Sequence, residues 1–221
     1  MLTTVHNGAN APLIEAVSDF YVKDGDWVAD VTYGKGAFWK QTDTDRFMLF
    51  ASDMLTVPEA PWDFRDLPYI DGCMDHVVLD PPYMHSPGKT SAYQGQYQTT
   101  QSHGLHADHG KARTLYHNEI IEDYAKGMAE AWRVLGEGGM LWVKCKDEIE
   151  SGWQRWSHHE IYLDAREIGF VGKDLFILAT GKNIPSRHAR QLHARKAHSY
   201  LWVFLKPTAR QTKTVKRCRI R

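Results

Sequence analysis

Residues 76–83 read His-Val-Val-Leu-Asp-Pro-Pro-Tyr, an apolar run that ends in a carboxylate, two prolines and a phenol ring. Proline lacks an N–H, fixes its own φ and pushes the preceding residue toward extended geometry, so a strand entering Asp80-Pro81-Pro82-Tyr83 must stop in a stiff corner. Asp80 and a backbone carbonyl held in place by the prolines could accept hydrogen bonds from an amine, and Tyr83 could stack on the ring that carries it. The chemistry such a corner suits is the capture of a planar group bearing an exocyclic amine. Taken alone, the four residues are equally well read as a turn that closes a strand.

A second constellation upstream raises the functional reading. Trp27-Val28-Ala29-Asp30-Val31 predicts a buried strand, and it runs into Thr32-Tyr33-Gly34-Lys35-Gly36-Ala37-Phe38-Trp39. A strand followed by Gly-x-Gly is the nucleotide-binding turn of a doubly wound sheet, where glycines allow close backbone approach. Residues 47–51 predict the next strand, and Asp53 follows Gly34 at about the 20-residue spacing at which such folds place a ribose-binding acid. Asp63 and Asp66 come next, each able to accept from an aromatic amine or to cap a turn. Three predicted strands thus end in acids, Asp30, Asp53 and Asp80. Right-handed crossovers put those ends on one edge, where open α/β sheets bind ligands.

The elements that must position these groups follow from periodicity. Leu13, Ile14, Val17, Phe20 and Tyr21 predict a helix over 11–23 with Asn10 as its N-cap. Ile120, Ile121, Tyr124, Met128, Ala131, Trp132 and Leu135 predict a second helix over 119–135, terminated by Gly136, Gly138 and Gly139. Residues 140–145 predict a buried strand, with Lys144 and Lys146 near the ligand edge or, the favoured reading, as salt-bridged or surface lysines. A helix is expected over 152–168, with Trp153 and Trp156 on its core face. Strands are expected over 170–180 and 198–206. The polar stretch 84–118 is long enough to be a lid or binding segment. Its His103, His106 and His109 lack a partner set at known ligand spacing, so no metal is expected.

Charge divides the chain. The 221 residues carry 27 basic and 27 acidic side chains, yet residues 181–221 hold twelve Lys/Arg and no Asp/Glu, leaving a net of −12 for 1–180. A basic end on an acidic body suggests a surface that meets phosphates. No apolar run is long enough to span a bilayer, no signal peptide is visible, and three scattered cysteines fit a reducing, cytoplasmic compartment.

The set Asp30…Gly34-x-Gly36, Asp53, Asp63 and Asp80-Pro81-Pro82-Tyr83 resembles the S-adenosylmethionine-dependent amino-methyltransferases of bacteria and phages, with the gamma-like order of motifs, over roughly residues 8–206. The resemblance implies an α/β fold: a Rossmann-like class I methyltransferase domain with a mostly parallel seven-stranded sheet, helices on both faces and an antiparallel last strand. Residues 84–118 would be its lid, 182–197 a basic loop and 207–221 a basic tail. It implies S-adenosyl-L-methionine as cofactor, with no metal, and DNA as partner, with adenine N6 methylated after base flipping. Asp80, Pro81, Pro82 and Tyr83 would be catalytic. Asn10, Asp30, Thr32, Tyr33, Gly34, Gly36, Phe38, Asp53 and Asp63 would bind the cofactor, and Lys182, Arg187, Arg190, Arg195 and Lys196 the DNA. Thr32 stands where many members carry Phe. The same corner serves cytosine N4 and RNA bases, and a non-catalytic nucleic-acid-binding protein on this scaffold is a further alternative. Monomer and homodimer both remain open.

Overall fold

The computed structural model describes residues 1–83, 116–181 and 191–209. Residues 84–115 of the expected 84–118 lid, with its three histidines, the basic residues Lys182, Arg187 and Arg190, and residues 210–221 of the expected 207–221 tail lie outside the described residues.

The elements in chain order are β1 (Val5–Asn7), α1 (Asn10–Tyr21), β2 (Trp27–Asp30), β3 (Met48–Ala51), β4 (Met74–Leu79), α2 (His117–Val134), β5 (Leu135–Cys145), β6 (Glu148–Glu150), β7 (Trp153–Arg155), α3 (Ser157–Ile168), β8 (Val171–Ala179) and β9 (His198–Leu205). Seven strands form one sheet in the order β1-β8-β9-β5-β4-β2-β3, and β6 and β7 form a separate hairpin. β9 runs antiparallel to both β5 and β8; the other neighbours are parallel. This is the mostly parallel seven-stranded sheet with an antiparallel last strand that the family resemblance implies. The seventh strand is the three-residue β1 at the edge, too short to show a period.

Alternation along the strands divides the core in two. Val28, Val78, Trp142, Leu201 and Val203 face α1, packing on Leu13, Ile14 and Val17. Ala29, Val77, Leu79, Leu141 and Val143 face the other way, toward Ile120, Tyr124 and Met128 of α2 and Ile161 and Ala165 of α3. Central parallel strands covered on both faces are apolar throughout, which is why 76–79 and 140–143 read as continuous hydrophobic runs. Among the described residues no helix is long and apolar enough to cross a membrane.

Three local expectations are corrected. Asn10 lies inside the first turn of α1; Ala9 occupies the cap position, and no side chain caps the helix there. Gly136, Gly138 and Gly139 do not end α2 as cap glycines. The helix stops at Val134, Leu135 is already extended, and the glycines lie within β5. A Cβ at Gly139 would stand 2.9 Å from the Gly136 carbonyl oxygen and 3.0 Å from that of Asp75, so the residue is there for close strand approach. The end of α2 is satisfied instead by Lys206, whose Nζ donates to the carbonyls of Trp132 (2.7 Å) and Leu135 (2.5 Å). Finally, 152–168 is not one helix. Trp153 lies on β7 and Trp156 precedes α3, and at 73% and 53% exposure neither is core.

Candidate functional site

At the carboxyl ends of β2 and β3, backbone amides are gathered onto two carboxylates. Asp30 is buried; one oxygen accepts the Thr32 amide at 3.1 Å and the other the Trp39 indole N–H at 2.7 Å. Burial pushes its carboxyl up to about 7, against the pull of those two donors. Asp53 accepts from the amides of Gly34 (3.1 Å), Leu55 (2.9 Å) and Thr56 (2.9 Å), and Thr56 Oγ1 donates to the Gly34 carbonyl at 2.5 Å. The turn between them is therefore clamped from both sides. Gly34 (φ +57°) and Gly36 (φ +66°) supply its left-handed backbone. Gly36 has a second reason to lack a side chain: the Tyr33 ring lies across it, with Oη 2.6 Å from where a Cβ would be.

One strand over, β4 ends in the proline corner. The Asp80 amide donates to Thr32 Oγ1 at 2.7 Å, tying the corner to the glycine turn. A Phe at position 32 could not make that bond, so Thr32 has an identifiable task here. Asp80 Oδ1 is buried and has no hydrogen-bond partner among the described residues. Burial pushes the Asp80 carboxyl up to about 6, opposed by the positive charge of Lys144. Lys144 is 2% exposed, not a surface lysine as expected, and its Nζ donates to Ser199 Oγ at 2.6 Å.

Turn and corner enclose a cavity of about 330 Å³, within the size range of small-molecule sites. Asp30, Thr32, Tyr33, Gly34 and Phe38 line its glycine-turn side, Asp53 a second side, and Asp80, Pro81, Pro82 and Tyr83 a third; Asn10 closes it from α1. Asn10 Oδ1, like Asp80 Oδ1, is a buried acceptor without a partner among the described residues. Two lining residues that each keep an acceptor uncommitted are suited to a ligand that carries donors.

Two anticipated cofactor residues do not line the cavity. Gly36 is buried behind the turn. Asp63 accepts Nε and Nη2 of Arg65, whose Nη1 reaches Asp123. Its neighbours Trp62 and Phe64 line the cavity instead, along with Met54 and Leu55. Their signal in the sequence was the pair of large aromatics flanking the acid in Trp62-Asp63-Phe64. Of the two described DNA-binding candidates, Arg195 is exposed and Lys196 stands over the exposed Trp156 ring, with Nζ 5.8 Å from its centroid. Both precede β9, which starts at the sheet edge where β4 and β5 end.

No protein-family model and no curated relative matches the chain. Solved structures do. The chain is similar to Burkholderia thailandensis 1,6-didemethyltoxoflavin-N1-methyltransferase, crystallised with its substrate and S-adenosylhomocysteine, at 11% identity over 90% of this chain and 79% of that one, with a TM-score of 0.54. It is also similar to an S-adenosylmethionine-dependent methyltransferase from Methanosarcina mazei (10% identity, 86% and 97% covered, TM-score 0.49). A third likeness is to a Thermus thermophilus protein provisionally termed a DNA modification methylase, in complex with S-adenosyl-L-methionine (19% identity, TM-score 0.45). That match covers 66% of this chain and spans about half, 54%, of the Thermus chain. The Burkholderia likeness and the sheet order agree: the chain has the Rossmann-like class I methyltransferase fold.

Proposed function

We propose that this chain is an S-adenosyl-L-methionine-dependent methyltransferase acting on an exocyclic amine of a nucleobase, with adenine N6 in DNA as the substrate. The observation that carries the reading is Asp80 at the proline corner, a lining residue of the cavity beside the glycine turn whose Oδ1 is buried without a hydrogen-bond partner among the described residues. Bound S-adenosyl-L-methionine would supply an electrophilic methyl group. Asn10, Asp53 and the Gly34 turn are the residues that would hold it, through donors and acceptors already set around the cavity.

The residues of this chain have a defined task in the transfer. An aromatic amine is a weak nucleophile because its lone pair is delocalised into the ring. Asp80 and the Pro81 carbonyl, as acceptors for its two N–H bonds, favour a tetrahedral nitrogen whose lone pair is free. Tyr83 holds the flat ring, and Pro81 and Pro82 keep these groups from drifting apart. No covalent intermediate is required; the catalysis is positioning and preorganised polarity. A base in a duplex cannot reach this cavity, so it must be flipped out at a cost of a few kcal/mol. Phosphate contacts from the basic segment before β9, including Arg195 and Lys196, would help offset that cost.

The test is incubation of the protein with unmethylated DNA and S-adenosyl-L-methionine, followed by nucleoside mass spectrometry. N6-methyladenine is expected. N4-methylcytosine would keep the mechanism and reassign the base, and unmodified DNA from a protein that binds the cofactor would overturn the substrate assignment.

A further inference from the structure

Four polar side chains cluster toward one end of the sheet face that packs on α1, a face that elsewhere carries His76 and Asp174 among its apolar residues. Asp30 ends β2, Asp80 follows β4, Lys144 lies on β5 and Ser199 on β9. Alternation puts them on that face: each is two residues from a member of the α1-side core, Val28, Val78, Trp142 and Leu201 respectively. Register staggers them, with Asp30 opposite Val78 and so two residues short of Asp80. Leu79 pairs with Val143, so Asp80 comes beside Lys144, and Lys144 pairs with Leu201 and reaches Ser199, two residues along β9, through its side chain.

Lys144 is hard to explain as a stabilising residue. An ammonium buried to 2% exposure loses its hydration, and Ser199 Oγ satisfies one of its three donors. A methionine of similar length would fill the same space without that penalty. What the charge does have is a buried neighbour that benefits from it. The Asp80 amide is tied to Thr32, yet the carboxylate Oδ1 has no donor among the described residues.

We propose that Lys144, held in place by Ser199, is a positioning residue that keeps Asp80 an ionised, acceptor-only group, so that the corner takes ligands presenting N–H donors. This rests on the amine-capturing reading of the corner. Protonated, Asp80 would donate a hydrogen and would suit a ring nitrogen or carbonyl instead. The groups that face Asp80 act in opposite senses. Asp30 on β2 is a like charge, and burial favours the neutral acid. Lys144 favours the carboxylate, and the Cys145 thiol beside it is held neutral by its own burial. On the far side Lys146 is a like charge to Lys144, and burial lowers both ammonium groups. Lys144 is thus the charge that tips Asp80 toward the ionised form.

The experiment is a carbon-13 NMR titration of the Asp80 carboxyl in the full, ligand-free chain, assigned by its loss in Asp80→Asn. In Lys144→Met the midpoint is expected to rise by at least one pH unit, a tenfold tighter hold on the proton. Ser199→Ala, which frees the ammonium to move, is expected to shift it in the same direction by less. An unmoved midpoint in Lys144→Met that keeps the wild-type circular dichroism overturns the proposal. Should that variant not fold, an unmoved midpoint in Ser199→Ala does so. The titration needs no turnover. A failure of the methyltransferase reading would show as absent methyl transfer with the midpoint still shifted, and so is distinct from a failure here.

Discussion

At the residue scale the account rests on Asp80. Asp80→Ala removes the acceptor that favours a tetrahedral amine, and methyl transfer is expected to fall by roughly 100- to 1,000-fold, as for the loss of one preorganised polar group. Affinity for S-adenosyl-L-methionine, read by calorimetry, is expected to stay within a few-fold, because the glycine turn is held by Asp30 and Asp53. The acid limb of the rate profile is set by the same group. The carboxyl is pushed up to about 6 by burial, so activity is expected to decline as pH falls through about 6, when Asp80 becomes a donor. Stability moves the opposite way. A carboxyl with a raised folded-state pKa binds its proton more tightly in the native state than unfolded. Its contribution is therefore full below about pH 4 and is lost as pH rises through about 6. Urea unfolding of wild type against Asp80→Asn is expected to diverge over that window, by on the order of 2 kcal/mol in favour of the variant at the upper end. The Asp-Pro-Pro-Tyr corner was legible in the sequence because proline leaves the chain few choices. Lys144 was legible in part: its place near the ligand edge could be read from the strand end, but a lysine there is nearly always on the surface, and only the pairing of β5 with β4 and β9 shows it facing inward.

At the element scale, glycine decides how closely the site can be built. Gly127 on α2 has Phe64 Cδ2 2.7 Å from where a Cβ would stand and Leu79 Cδ2 at 3.2 Å, and Phe64 lines the cavity. Gly127→Ala is expected to cost about 1–3 kcal/mol by overpacking, read in urea, and to weaken cofactor binding by displacing Phe64. Gly36→Ala meets the Tyr33 ring, which can swing away, but it also needs φ +66°, which does not relax. A loss of about 1–2 kcal/mol in urea unfolding is expected, with weaker cofactor binding. The strands and helices of the sheet were readable from period because they bury whole faces. The glycines 136, 138 and 139 were misread because a glycine run after a helix looks the same whether it caps the helix or lets two strands approach. The β6–β7 hairpin was missed because three-residue strands show no period, and so Trp153 and Trp156 were assigned to a core they do not enter.

At the scale of the whole molecule, the charge split sets how substrate is met. An acidic body with twelve basic residues after position 180 would meet DNA through its C-terminal fifth. Charge reversal at Arg187, Arg190 and Arg195 is expected to weaken DNA binding alike for all sequences and to flatten its dependence on salt, measured by gel shift at several ionic strengths. Because β9 runs antiparallel to β5, Arg195 and Lys196, which precede it, lie toward the sheet edge where Asp80 stands. The central claim is that this edge joins a methyl donor to an amine through Asp80. The most direct measurement compares wild type and Asp80→Ala, each given S-adenosyl-L-methionine and unmethylated DNA, with nucleosides counted by mass spectrometry and cofactor binding followed by calorimetry. The account predicts N6-methyladenine from the wild type alone, with both proteins binding the cofactor; equal methylation by the two would contradict it.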